Sequence, residues 1–272
     1  MHSLKYSQGF TLIELIMVIV ITGILSTMTT DIITLPVKAY MDLERRTTLV
    51  DTAEMSLRRM QRDIRRALPN SINITDGGTT IELLHTTEGG RYRASVSKTG
   101  PEKKYILDFT KADSQFEVIG FLPENTTGYL VIYNTGTIGA NAYADADADE
   151  LPEIDYIDYN DPDNPNAIIL NLDKAKLFPY RSPQQRFFIV DTPITYKCEN
   201  GKLRRYDNYP ISSSPTLPTG NIQAKSHRLI CSFNYDEGSN TRAGLVTLSI
   251  TLTDKVGESV KLIHQVHVDN MP

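Results

Sequence analysis

The chain has 272 residues and a formal net charge of −5, with 28 Lys plus Arg against 33 Asp plus Glu. That near balance argues against a nucleic-acid partner, and two cysteines are too few for a thiolate metal centre. The length accommodates one large or two small domains, and about 200 residues beyond the first helix are ample for a buried core.

The chain opens on a short polar leader, Met1 to Gly9, free of acids. An apolar run from Phe10 to Met28 follows. As a helix it measures about 28 Å, close to the roughly 30 Å hydrocarbon core of a bilayer. One carboxylate, Glu14, stands inside it. An ionised side chain at bilayer depth costs roughly 2.5 kcal/mol or more, so it requires a partner and a function. Cleavage after Gly9 would create an α-ammonium on Phe10, four residues from Glu14 and able to pair with it in the same chain or a neighbouring one. An ordinary membrane anchor or a secretory signal peptide leaves Glu14 unexplained, and no Ala-x-Ala-like site follows Met28.

The run Gly9-Phe10-Thr11-Leu12-Ile13-Glu14, placed after a polar leader and before an apolar helix, resembles the class III signal of type IV pilins and type II secretion pseudopilins. The resemblance implies that a membrane-embedded prepilin peptidase cuts between Gly9 and Phe10 and N-methylates Phe10. It also implies partners in other pilin subunits and in an inner-membrane assembly platform. The precursor would cross the inner membrane once, with a periplasmic head, and move to a surface pilus on assembly. Charge alone does not orient the span, because Lys5 precedes it while Lys38, Arg45 and Arg46 follow.

The helical pattern continues to Leu68. Pro36 lacks a backbone donor and clashes with the preceding turn, so a kink or local break is expected just before it. Pilins often carry such a proline about five residues earlier, where this chain has Asp31. Beyond Pro36 an apolar stripe, Leu43, Val50, Ala53, Leu57, Met60, Ile64 and Ala67, recurs mostly at spacings of three and four. Arg58, Arg59, Arg62, Arg65 and Arg66 fall largely off it, as a solvated basic face or a surface for acids on neighbouring subunits. Pro69-Asn70 ends the helix. Residues 60–71 resemble the helix end of large minor pilins, among them the O-type minor pilins of mannose-sensitive haemagglutinin pili.

The expected fold is therefore α+β and pilin-like: a leader (1–9), a transmembrane helix (10–35), an amphipathic periplasmic helix (36–68) and an antiparallel β-rich head (69–272). Strands are expected at Ile81 to Thr86, Tyr105 to Thr110, Phe116 to Leu122, Tyr129 to Tyr133, Ala167 to Leu172, Arg186 to Val190 and Arg228 to Tyr235. Ile194 to Glu199 and Lys202 to Tyr206 flank Asn200-Gly201, a strong hairpin signal. Leu245 to Thr253 and Val260 to Val268 form a second hairpin. In a chain with an export signal, Cys198 and Cys231 are most simply a disulfide formed in the periplasm, the other reading being two buried thiols.

His264 and His267 stand at an odd separation on a strand and so face opposite ways, which makes His264 a core histidine rather than a metal ligand. Between Gly139 and Asn164 lie nine acids, Asp145, Asp147, Asp149, Glu150, Glu153, Asp155, Asp158, Asp161 and Asp163, with no Lys or Arg. They admit two readings, a mobile solvated loop or a weak calcium site, and they do not match an EF-hand because Glu150 stands where its glycine belongs. Ser212 to Gly220 is a second expected loop. No cluster at catalytic spacing can be named, so no enzyme is expected. The reading is a minor pilin of a type IV pilus, acting in assembly or initiation and at the tip. Its rivals are a type II secretion pseudopilin and a tip adhesin with weak calcium dependence.

Overall fold

The computed structural model describes residues 9–95, 105–162, 165, 167–237 and 243–268, without the side chains of 28–31 and 33. The expected leader, apart from Gly9, lies outside the described residues, as do Asp163 and the side chains of Met28 and Asp31. The architecture is α+β and pilin-like, an N-terminal helix followed by a large antiparallel β head.

Helix α1 (Leu12–Arg65) runs 54 residues. The chain divides into two compact units, the first ending at Thr48 and the second running from Leu49 to the C-terminus. In the first unit the apolar side chains from Leu12 to Leu25 are exposed. Among the described residues no helix is long and apolar enough to cross a membrane; the part of the run whose side chains are described stops at Thr27. The break expected before Pro36 is absent. Pro36 lies inside α1, and Ile32, whose carbonyl its ring leaves without an intrahelical donor, is exposed.

In the second unit the strands follow in order: β1 (Asn73–Thr75), β2 (Thr80–Tyr92), β3 (Asp113–Ile119), β4 (Tyr129–Val131), helix α2 (Ala142–Asp147), β5 (Ile154–Asp158), β6 (Ile168–Lys176), β7 (Arg186–Glu199), β8 (Lys202–Tyr206), β9 (Asn221–Lys225), β10 (Arg228–Asp236), β11 (Gly244–Thr253) and β12 (Ser259–Val268). One sheet has the order β5-β6-β3-β2-β7-β8-β9, with β1 on β2 and β4 on β7; the second has the order β10-β11-β12.

The amphipathic stripe does what its period requires. Ala53, Leu57, Met60 and Ile64 are fully buried, and with Leu49 they share one core with Ile81 and Leu83 of β2, Tyr196 of β7 and the inward residues of β10 to β12. The five arginines from Arg58 to Arg66 are all exposed, and Leu43, expected on the stripe, is exposed in the first unit. A polar cluster fastens the helix. Asp63 Oδ2 accepts from Tyr196 OH at 2.7 Å and from Arg205 Nε at 2.8 Å, and Arg205 also pairs with Asp207. Burial first, and then the Asp63 carboxylate, push the Tyr196 phenol well up. Asp63→Ala orphans a buried hydroxyl and half of a guanidinium fork, and is expected to cost about 3 kcal/mol in urea unfolding of the full-length protein.

The helix stops at Arg65 rather than Leu68 because β2 takes its last residues. On the edge of β2 away from β7, Leu84 O accepts from Leu68 N at 2.8 Å, Leu84 N donates to Ser71 Oγ at 3.1 Å, and Thr86 N donates to Arg66 O at 2.8 Å. Pro193 of β7 lies opposite Leu84 on the other edge, where that pair exchanges no ladder bond, so its missing N–H is tolerated. The two strands expected at 186–190 and 194–199 are one strand, β7, whose partner β2 is bulged between Leu84 and Glu88.

The Asn200-Gly201 hairpin forms as expected, with φ of 49° and 71° and Glu199 opposite Lys202. A disulfide joins Cys198 to Cys231, with Cα atoms 6.1 Å apart, and so ties the β7–β8 hairpin to β10 of the second sheet. On β12, Val260, Leu262, His264, Val266 and Val268 face one way as expected, and His267 is exposed on the other face. His264 is half-buried rather than a core residue.

Candidate functional site

Two regions hold the residues singled out by their chemistry. The first is the N-terminal segment. Gly9, Phe10 and Thr11 precede the helix in irregular backbone, and Phe10 is 78% exposed. The Gly9–Phe10 bond is thus accessible to an enzyme. A Cβ built on Gly9 meets nothing within 4 Å, so the fold itself does not require glycine there. Any such requirement belongs to the enzyme that reads the segment.

Thr11 caps α1. Its Oγ1 accepts from Glu14 N at 3.3 Å and lies 3.5 Å from Glu14 Oε2, to which it can donate. Thr11-Leu12-Ile13-Glu14 therefore has the sequence and one arm of a capping box, in which a hydroxyl and a carboxylate three residues apart satisfy the first turn. Glu14 also places a negative charge where the helix dipole favours one. This local role is legible in the sequence as T-x-x-E.

The second region is the acidic stretch, and here the expectation of a mobile loop is corrected. Residues 142–147 form α2, whose N-cap Asn141 accepts from Tyr143 N and Ala144 N. The structure sends its carboxylates to separate partners rather than to one centre. Asp145 is buried and receives Lys176 Nζ at 2.7 Å; Asp149 pairs with Lys174 at 3.1 Å; Asp161 accepts from Tyr105 OH. Asp147 accepts from Ser213 N at 3.2 Å and from Ser213 Oγ, holding the 212–220 loop against α2. Among the described residues no group of three or more His, Cys, Asp or Glu is placed to hold a metal ion.

The Ser213 and Ser212 hydroxyls, with Ser213 N–H, hold the Asp147 carboxyl below the usual carboxylate range. A depressed folded value means that the contact is fully present above the ordinary pKa of about 3.9 and lost as pH falls through the lower, folded one. The Ser213 amide resonance is therefore expected to stay constant from neutral pH down to about 4 and to move below it, and Asp147→Ala should abolish that titration.

With this geometry established, comparison with known proteins adds one positive result. Residues 4–30 match the family model of the prokaryotic N-terminal methylation motif. That motif, at the head of a long helix followed by an antiparallel β head, supports a type IV pilin-like or pseudopilin precursor. The class III signal implies processing by prepilin peptidase and assembly with other pilins. No curated protein and no solved structure matches the chain.

Proposed function

We propose that the chain is a minor pilin of a type IV pilus, inserted in the inner membrane by its N-terminal helix and incorporated into the filament after cleavage between Gly9 and Phe10. The observation that carries this reading is the methylation motif joined to a helix whose first apolar stretch is exposed from Leu12 to Leu25. Subunits leaving lipid need an equally apolar environment, which bundled N-terminal helices supply. Glu14 then sets the register by pairing with the α-ammonium of a neighbouring Phe10, a role that buried charges can serve.

A head of about 200 residues is bulky for a subunit tiling a narrow shaft, which supports scarce placement at the tip and a part in initiation. The same signal serves the pseudopilins of type II secretion, and one experiment separates the two readings. Surface pili are counted by electron microscopy in an in-frame deletion strain. Their loss, restored by the gene in trans, supports the initiating pilin; normal pili with failed exoprotein release assign the chain to secretion.

A further inference from the structure

The head contains a cavity of about 380 Å³ that neither the methylation motif nor the proposed place in a filament uses. This is at the small end of ligand pockets, which span roughly 300–1,000 Å³. It is lined by β1, the start of β2 and the end of β7, with Ser213, Pro215 and Leu217 of the 212–220 loop. Its polar groups are held before any ligand arrives. Glu82 Oε2 accepts from Thr195 Oγ1 at 3.0 Å and from Tyr209 OH at 3.1 Å, and those two hydroxyls lie 2.6 Å apart. Asp76 accepts from Thr80 Oγ1 at 2.8 Å and pairs with Lys197 Nζ at 3.2 Å. The 212–220 loop is anchored from outside through Asp147.

The backbone at the rim is also committed. Asp76, Gly77 and Gly78 have φ of 51°, 66° and 88°, a left-handed run that an aspartate tolerates only with local hydrogen bonding. A Cβ on Gly78 would sit 3.0 Å from Phe233 O. Unusual backbone of this kind is concentrated where side chains must be aimed.

The chemistry of the lining selects a ligand class. Asp76 and Lys197 cancel, leaving Glu82 as the net charge, so an anion is disfavoured. Carboxylates only accept and an ammonium only donates. A hydroxyl does both, so adjacent hydroxyls of one ligand can give to Glu82 or Asp76 and receive from Lys197, which an amine cannot do. Ile74, Pro215 and Leu217 supply an aliphatic surface for a C–H face. We propose that this cavity binds a neutral hexose unit. The proposal goes beyond the assembly role and stands whether or not the chain primes a filament.

The test uses the full-length protein in a zwitterionic detergent, because a sugar-headed detergent would compete. Methyl α-glucoside and methyl β-galactoside are the probes in saturation-transfer NMR, with glucuronate and glucosamine as charged controls. At least one neutral hexoside is expected to receive saturation and glucuronate none. Lys197→Ala, on a partly exposed side chain, and the near-isosteric Glu82→Gln should each weaken binding at least about tenfold while leaving the melting temperature within a few degrees of wild type. Absence of transfer to both hexosides, binding of glucosamine alone, or binding unaffected by either folded variant would overturn the proposal.

Discussion

Glu14→Val is expected to leave membrane insertion and leader cleavage intact and to abolish incorporation into the filament. Replacing a carboxylate with an apolar side chain removes the cost of a charge in lipid, so insertion cannot suffer from it. The scissile bond lies upstream in irregular backbone that Glu14 does not hold. What disappears is the partner of the new ammonium on Phe10, and with it the preference for one axial register over its neighbours. Because Glu14 also sits at the third position of a capping box with Thr11, the valine variant loses a local contribution of about 0.5–1 kcal/mol as well. Glu14→Gln separates the two. Glutamine keeps the capping geometry and removes the charge, so it should fail in assembly like valine if register is electrostatic. The measurement is the ratio of subunit in sheared filaments to subunit in membranes. Normal incorporation of the glutamine variant would assign Glu14 to helix capping alone.

The second large effect is expected from the disulfide. Cys198 and Cys231 are 33 residues apart and belong to different sheets, so the bond closes a loop that also fixes how the β7–β8 hairpin meets β10. Chain-entropy reasoning gives about 3–4 kcal/mol for a loop of this size. A Cys198→Ala/Cys231→Ala double variant should therefore melt roughly 10 °C below the oxidised protein. Reductant should lower the wild type by the same amount and leave the variant unmoved. Equal melting temperatures for oxidised wild type and variant would mean that the helix core alone holds the two sheets together. Buried Leu57, Met60 and Ile64 share a cluster with residues of both sheets, so some cohesion must survive.

The elements read correctly from residues share a physical trait: their signal is local. A stripe of period near 3.6 must bury one face, and Ala53, Leu57, Met60 and Ile64 do so. Asn-Gly between apolar alternations meets the left-handed demand of a two-residue turn, and the turn is there. Strict alternation placed the inward face of β12.

The misread elements share the opposite trait. Strand β5 does not show a period of two because its inward residues, Ile154 and Ile157, are three apart, a spacing that a register shift against β6 produces. Tyr105 to Thr110 alternates well and buries Tyr105 and Leu107, yet it forms no strand. Its backbone meets its neighbours through Glu117 N to Tyr105 O and Leu107 N to Arg93 O, which is not a continuous ladder. The acidic run looked like solvated loop because charge density was all the sequence displayed. The partners that turn it into α2 and a clamp, Lys176, Lys174 and Ser213, lie 25 to 66 residues away along the chain.

The division between the two kinds of information follows the range of the interactions. The residues by themselves determine the signal at Gly9 to Glu14, the apolar segment that follows, the amphipathic stripe, the Asn-Gly turn and the pair of cysteines, because each is a property of neighbours in the chain. Only the tertiary structure decides where α1 ends, since the free edge of β2 at Leu84 and Thr86 recruits Leu68 and Arg66. Only it sets Glu82, Asp76 and Lys197 around one cavity, because Lys197 stands on β7, which the sheet, and not the sequence, places beside β2 and the β1–β2 turn that carry Glu82 and Asp76.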